Sequence, residues 1–100
     1  MQRFENKVVL VTGGAFGMGA ATAKLFASEG AKVVVADLLE DEALKRINEM
    51  TKLGGEAIYV KLDVTSENNW ESIIEQIDST YGRLDVLVNN AGISGSGYQD

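Results

Sequence analysis

The chain has 100 residues, 45% of them hydrophobic and 24% charged, the balance of one soluble globular domain spanning residues 1–100. A formal net charge of −6 argues against a nucleic-acid footprint, which needs clustered Lys and Arg, and against adsorption to an anionic membrane; it is compatible with a small anionic ligand held by backbone N–H groups. Cysteine and histidine are both absent, which removes disulfides, thiolate nucleophiles, Cys-based zinc or iron–sulfur sites and His acid–base chemistry, so no metal site is expected.

Residues 1–7 carry no apolar core of the kind a signal peptide needs, and no run nears the about 18–20 apolar residues of a membrane span. A cytoplasmic location is expected. The first predicted element is a strand over residues 7–12, a nearly continuous apolar and β-branched run. A helix follows over residues 17–29, apolar nearly all round (Met18, Ala20, Ala21, Ala23, Leu25, Phe26, Ala27), which predicts deep burial with alanines allowing close approach to a sheet. Residues 32–37 form a second strand. Residues 40–53 form a second helix with Ala43, Ile47 and Met50 on one stripe and Leu44 beside it. A third strand spans residues 56–62. The helix over residues 67–81 has the cleanest pattern, with Trp70, Ile73, Ile74, Ile77 and Tyr81 at i, i+3, i+4, i+7 and i+11. Thr65 or Ser66 supplies its N-cap. Residues 84–89 form the fourth strand. Gly30, Gly54 and Gly82 each follow a helical pattern, where a left-handed terminator is wanted. Strands alternating with helices, and lacking strict polar alternation, predict an α/β fold around a parallel sheet covered on both faces.

The stretch Thr12-Gly13-Gly14-Ala15-Phe16-Gly17-Met18-Gly19 lies between the first strand and the first helix. A chain leaving a strand sharply, bringing its backbone close to a pyrophosphate and packing the next helix tightly, needs residues without a Cβ. Gly13, Gly14, Phe16, Gly17, Met18 and Gly19 are therefore candidate cofactor-binding residues, and a valine at Gly19 is expected to block the close approach. The spacing Gly-x-x-x-Gly-x-Gly departs from the Gly-x-Gly-x-x-Gly fingerprint. The alternative is a tight turn without a ligand. Asp37 ends the second strand 18 residues after Gly19, near the about 20 expected of an acid that binds the adenosine ribose. A carboxylate there repels a 2′-phosphate, and Phe16, Leu38 and Leu39 bring no positive charge to offset it. The cofactor indicated is NAD rather than NADP, on the N-terminal β-α-β-α-β-α-β portion of a Rossmann-type, doubly wound parallel sheet. The alternative for Asp37 is a solvated acid at a strand end.

With Asp63-Val64 and Asn89-Asn90-Ala91-Gly92 added in order at later strand ends, the chain resembles the N-terminal part of the short-chain dehydrogenases/reductases. The resemblance covers essentially the whole chain, and the glycine spacing is that family's own. It implies that Asp63 and Val64 lie near the adenine, and that Asn89, Asn90, Ala91 and Gly92 steady the sheet and approach the ribose and nicotinamide. The alternatives are that Asp63 caps a helix and that the asparagines satisfy backbone groups. It implies hydride transfer between a nicotinamide and an alcohol or carbonyl, with a Ser polarising the substrate and a Tyr tuned by a Lys four residues on. Here Tyr59 is followed four residues on by Asp63, Tyr81 by Asp85, and Tyr98 by the end of the chain, so no catalytic residue is assigned. Ser94, Ser96 and Tyr98 sit in a glycine-rich segment that predicts a mobile loop.

The chain thus looks like part of a longer oxidoreductase, and the family implies a homo-oligomer. The alternatives are a dinucleotide-binding regulatory or sensor module and an α/β domain with an empty crevice. The family's strand order, 3-2-1-4, leaves the fourth strand as an apolar edge and the first helix short of cover. The isolated chain is expected to be marginally stable or to aggregate.

Overall fold

The computed structural model describes residues 4–62 and 67–90. Strands β1 (Val8–Thr12), β2 (Lys32–Asp37), β3 (Glu56–Lys61) and β4 (Val86–Asn89) alternate with helices α1 (Gly17–Ser28), α2 (Glu40–Lys52) and α3 (Glu67–Tyr81). The strands form one parallel sheet in the order β3-β2-β1-β4. Register follows the valine runs: Val9 pairs with Val33 on one side and Val86 on the other. The predicted N-cap at Thr65 or Ser66 lies outside the described residues.

Side chains alternate along each strand, so β1, β2 and β3 feed two cores. Val9, Val11, Val33 and Val35 meet Ala23, Ala27, Ala43 and Met50 of α1 and α2. Val8, Leu10, Val34, Ala36 and Val60 meet Ile73 and Ile77 of α3 on the other face. The chain steps one way from β1 to β3 and then crosses back over β1 to β4. Crossovers of one hand then put α3 opposite α1 and α2. This reversal opens a crevice at the carboxyl ends of β1 and β4, where open α/β sheets hold their ligands.

The expectation of a deeply buried α1 needs correction. Gly19, Ala20, Ala23 and Ala27 are buried, but Met18 and Leu25 are 79% and 61% exposed. A helix laid on a sheet buries one stripe, and here that stripe is the one of small residues. Of the predicted α3 stripe, Ile73 and Ile77 are buried, Trp70 and Tyr81 pack beside them, and Ile74 faces out. Gly30, Gly54 and Gly82 do carry positive φ.

β4 starts two residues later than predicted, and Asp85 is the reason. The Val8 N–H donates to Asp85 Oδ2 at 2.8 Å, while the Asp85 N–H donates to the Val8 carbonyl at 2.9 Å. A side chain closes the pairing with β1 where a strand carbonyl would otherwise accept. Arg83 holds the other carboxylate oxygen, its Nη2 2.7 Å away.

Candidate active site: the dinucleotide crevice

The crevice begins at Thr12, the fully buried last residue of β1. Its hydroxyl donates to Asn89 Oδ1 at 2.9 Å and accepts from the Asn90 N–H at 3.0 Å. The Asn90 N–H also lies 3.2 Å from the Thr12 carbonyl. One threonine thus ties the start of the glycine turn to the end of β4. A Thr12→Val change removes a buried partner of two groups, a loss of about 1–3 kcal/mol.

The turn itself is fixed from both ends. The Gly13 N–H donates to the Ala36 carbonyl at 2.8 Å, and the first helical bond of α1 runs from the Ala20 N–H to the Phe16 carbonyl at 3.1 Å. Phe16 is the N-cap, without a side-chain hydrogen bond, and no acid occupies the first turn. The leading N–H groups and the positive end of the helix dipole are therefore not neutralised by a side chain of α1.

The glycines divide the work. Gly13 and Gly17 take φ of +70° and +57°, the left-handed region that L side chains avoid. Beside Gly17 nothing stands within 4 Å of where a Cβ would be. Gly14 and Gly19 are needed for room. A Cβ on Gly14 would lie 2.9 Å from Val35 Cγ1, and one on Gly19 would collide with the Gly13 carbonyl oxygen. A side chain at position 19 therefore meets the turn itself, whether or not a ligand is bound. Phe16 and Met18 point outward, 53% and 79% exposed.

Asp37 joins the turn. Its Oδ2 accepts from the Ala15 N–H at 3.1 Å and its Oδ1 from the Leu39 N–H at 3.0 Å. Its own carbonyl accepts from the Tyr59 hydroxyl at 2.8 Å and from the Leu62 N–H at 3.2 Å. Burial, reinforced by the Glu40 and Asp37 carboxylates, pushes the Tyr59 phenol above its ordinary value, so Tyr59 stays a donor. The sequence-predicted residues Gly13, Gly14, Gly17, Gly19, Asp37 and Asn90 thus gather at one end of the sheet. Asp63, Val64, Ala91 and Gly92 lie outside the described residues. Asn90 Nδ2 is buried with no hydrogen-bond partner among the described residues.

Sequence reasoning missed three participants. Thr12 stands in the turn stretch without an assigned role, although a lone polar residue closing an apolar strand is a signal. The Ala15 N–H is a backbone donor and leaves no mark in a sequence. Tyr59 is one apolar-run aromatic among several in the sequence, and nothing local marks its hydroxyl as a partner of Asp37.

A family model described as short chain dehydrogenase matches residues 7–100. Tropinone reductase-like 1 of Erythroxylum coca is 48% identical over 94 residues, covering 92% of this chain and 33% of that protein. Cyclopentanol dehydrogenase of Comamonas testosteroni is 47% identical over 93 residues, covering 93% of this chain and 37% of that protein. The crystal structure of hydroxysteroid dehydrogenase from Escherichia coli superposes with a TM-score of 0.89 at 37% identity, over 99% of this chain and 42% of that one. The chain spans about a third of the length of the curated relatives it matches. From the glycine turn through the Asn89-Asn90 strand end, it belongs to the short-chain dehydrogenase family.

Proposed function

We propose that this chain is the NAD-binding portion of an oxidoreductase that moves hydride between the nicotinamide and a small alcohol or carbonyl substrate. The observation that carries the reading is the hydrogen bond from the Ala15 N–H to Asp37 Oδ2, which puts the acid and the open end of α1 on one crevice. Two further features fit a dinucleotide. The space beside Gly17 is open to a pyrophosphate, and the orphaned Asn90 amide offers a donor at the same strand ends.

Asp37 supports NAD over NADP. Each carboxylate oxygen takes one backbone N–H, leaving acceptor capacity on both for a ribose diol. A 2′-phosphate in that place meets a full negative charge, with Glu40, Asp41 and Glu42 following in the first turn of α2. Two like charges about 4 Å apart near a surface repel by roughly 4 kcal/mol before salt screening. Leu38 and Leu39 are exposed and bring no cation.

The bound nicotinamide supplies or takes the hydride; these residues bind and orient it. Neither Tyr59 nor Tyr81 has a lysine four residues on, so we assign the movement of the proton to neither of them. The relatives named reductases and dehydrogenases favour this enzyme reading over a binding module without chemistry. The test is calorimetric titration of the full-length protein with NAD and NADP. Asp37→Ala should weaken NAD by about 10- to 100-fold, the loss of charge-assisted hydrogen bonds, and narrow the preference over NADP. Equal affinity for NAD and NADP in the unaltered protein would remove the NAD assignment.

A further inference from the structure

We infer that Tyr59 sets the dinucleotide preference of this crevice by positioning Asp37 from behind, without touching the ligand. The inference rests on the reading of Asp37 as the ribose acid. Tyr59 stands in β3 opposite Val35, two residues before Asp37 in the β2 register. Its ring packs against the core under α1 and α2, and its hydroxyl reaches along the strand to the Asp37 carbonyl at 2.8 Å. The other donor to that carbonyl, the Leu62 N–H, is longer at 3.2 Å and comes from the residue just past the end of β3.

The consequence follows from where Asp37 sits. It is the last residue of β2, where ladder pairing ends and the chain turns into α2. Its carboxylate is held by the Ala15 and Leu39 N–H groups, both in turns rather than in the sheet. Asp37 makes the last pair of the β2–β3 ladder, with Lys61, and at its carbonyl, the side that faces the turn, Tyr59 is the shorter of the two donors. A carboxylate that must present two oxygens to a diol loses more from a loosened backbone than a pyrophosphate site does, because the latter is built on Gly13 to Gly19. The phenol also stays protonated beside two acids, Glu40 and Asp37, so the tether holds across the neutral range.

Tyr59→Phe keeps the ring and its packing and removes only the donor. Titrated with NAD and NADP, the full-length variant should bind NAD about two- to tenfold more weakly, the worth of one hydrogen bond. NADP binding should change little, so the ratio of the two narrows. A general loosening of the fold would weaken both nucleotides together, since they share the pyrophosphate and nicotinamide, and that result overturns the inference. In the Asp37→Ala background, Tyr59→Phe should have no further effect on NAD; an additive loss also overturns it. If Asp37→Ala weakens NAD while Tyr59→Phe does not, the ribose acid stands and the role of Tyr59 falls. If Asp37→Ala leaves NAD unchanged, both fall together.

Discussion

A Cβ built on Gly19 comes within 2.8 Å of the Gly13 carbonyl carbon and 3.2 Å of Gly14 Cα, besides meeting the Gly13 oxygen. These are backbone atoms of a turn held to Ala36, so no rotamer change relieves the clash. Gly17 differs: space is open beside it, and the cost of a side chain is conformational, at φ +57°. Gly19→Ala should therefore cost about 1–3 kcal/mol of stability, as overpacking does, and should weaken NAD and NADP alike by moving the pyrophosphate turn. Gly17→Ala should cost about 1–2 kcal/mol from its left-handed backbone. Urea denaturation and nucleotide titration of the full-length variants measure both, and a Gly19→Ala protein as stable as its parent would contradict the packing role. The need for small residues in this stretch was legible in the sequence, because four glycines in seven positions have few other uses. Which glycine meets which atom was not legible, because the atoms that Gly14 and Gly19 meet are set by folding. Asp37 was legible by its interval from Gly19, whereas its hold on Ala15 and by Tyr59 was not.

Elements were the most legible level, since β-branched runs of five or six residues and 3.6-residue stripes are local signals. Their ends were less so, and β4 shows why: Asp85 replaces a ladder partner with its side chain, which no propensity reports. Strand order came from the family resemblance rather than from periodicity, which cannot tell one side of β1 from the other. The same carboxylate gives the junction of β1 and β4 a pH dependence. The Arg83 guanidinium first, then the Val8 N–H, hold the Asp85 carboxyl below its ordinary 3.8, against the opposing pull of burial. A pKa lowered on folding means that the unfolded chain binds the proton more readily. The contribution is complete above the ordinary carboxylate range and is lost as pH falls through it to the folded value. Melting temperatures of the full-length protein and of Asp85→Asn, taken from about pH 7 down to about pH 3, should differ most at the neutral end and converge in acid. A constant difference across that range would show that Asp85 acts without its charge.

The sheet has two outer strands, β3 and β4, around a buried centre. β2 and β1 are buried along nearly their whole length, while β4 alternates half-buried and exposed residues and has no partner on its outer edge among the described residues. Leu87, beside Leu10 in register, is 52% exposed, and Ile74 of α3 is 46% exposed. An unpaired apolar strand edge is a template for another chain. The relatives extend about twice as far again as the part matched here, and in the full-length protein this edge is expected to be covered. Two opposite outcomes follow for one substitution. The isolated polypeptide of residues 1–100 should aggregate with rising concentration in light scattering, and Leu87→Lys should reduce that aggregation by placing a charge at the edge. In the full-length protein the same change should lower stability, by about 1.5–3 kcal/mol for the apolar burial lost and more for a lysine left unpaired. A monomeric 1–100 polypeptide unfolding cooperatively with an ordinary stability of about 5–15 kcal/mol would show that β4 is a tolerable edge. A full-length Leu87→Lys protein as stable as its parent would show that Leu87 stays at the surface, and that the rest of the chain folds elsewhere than against β4.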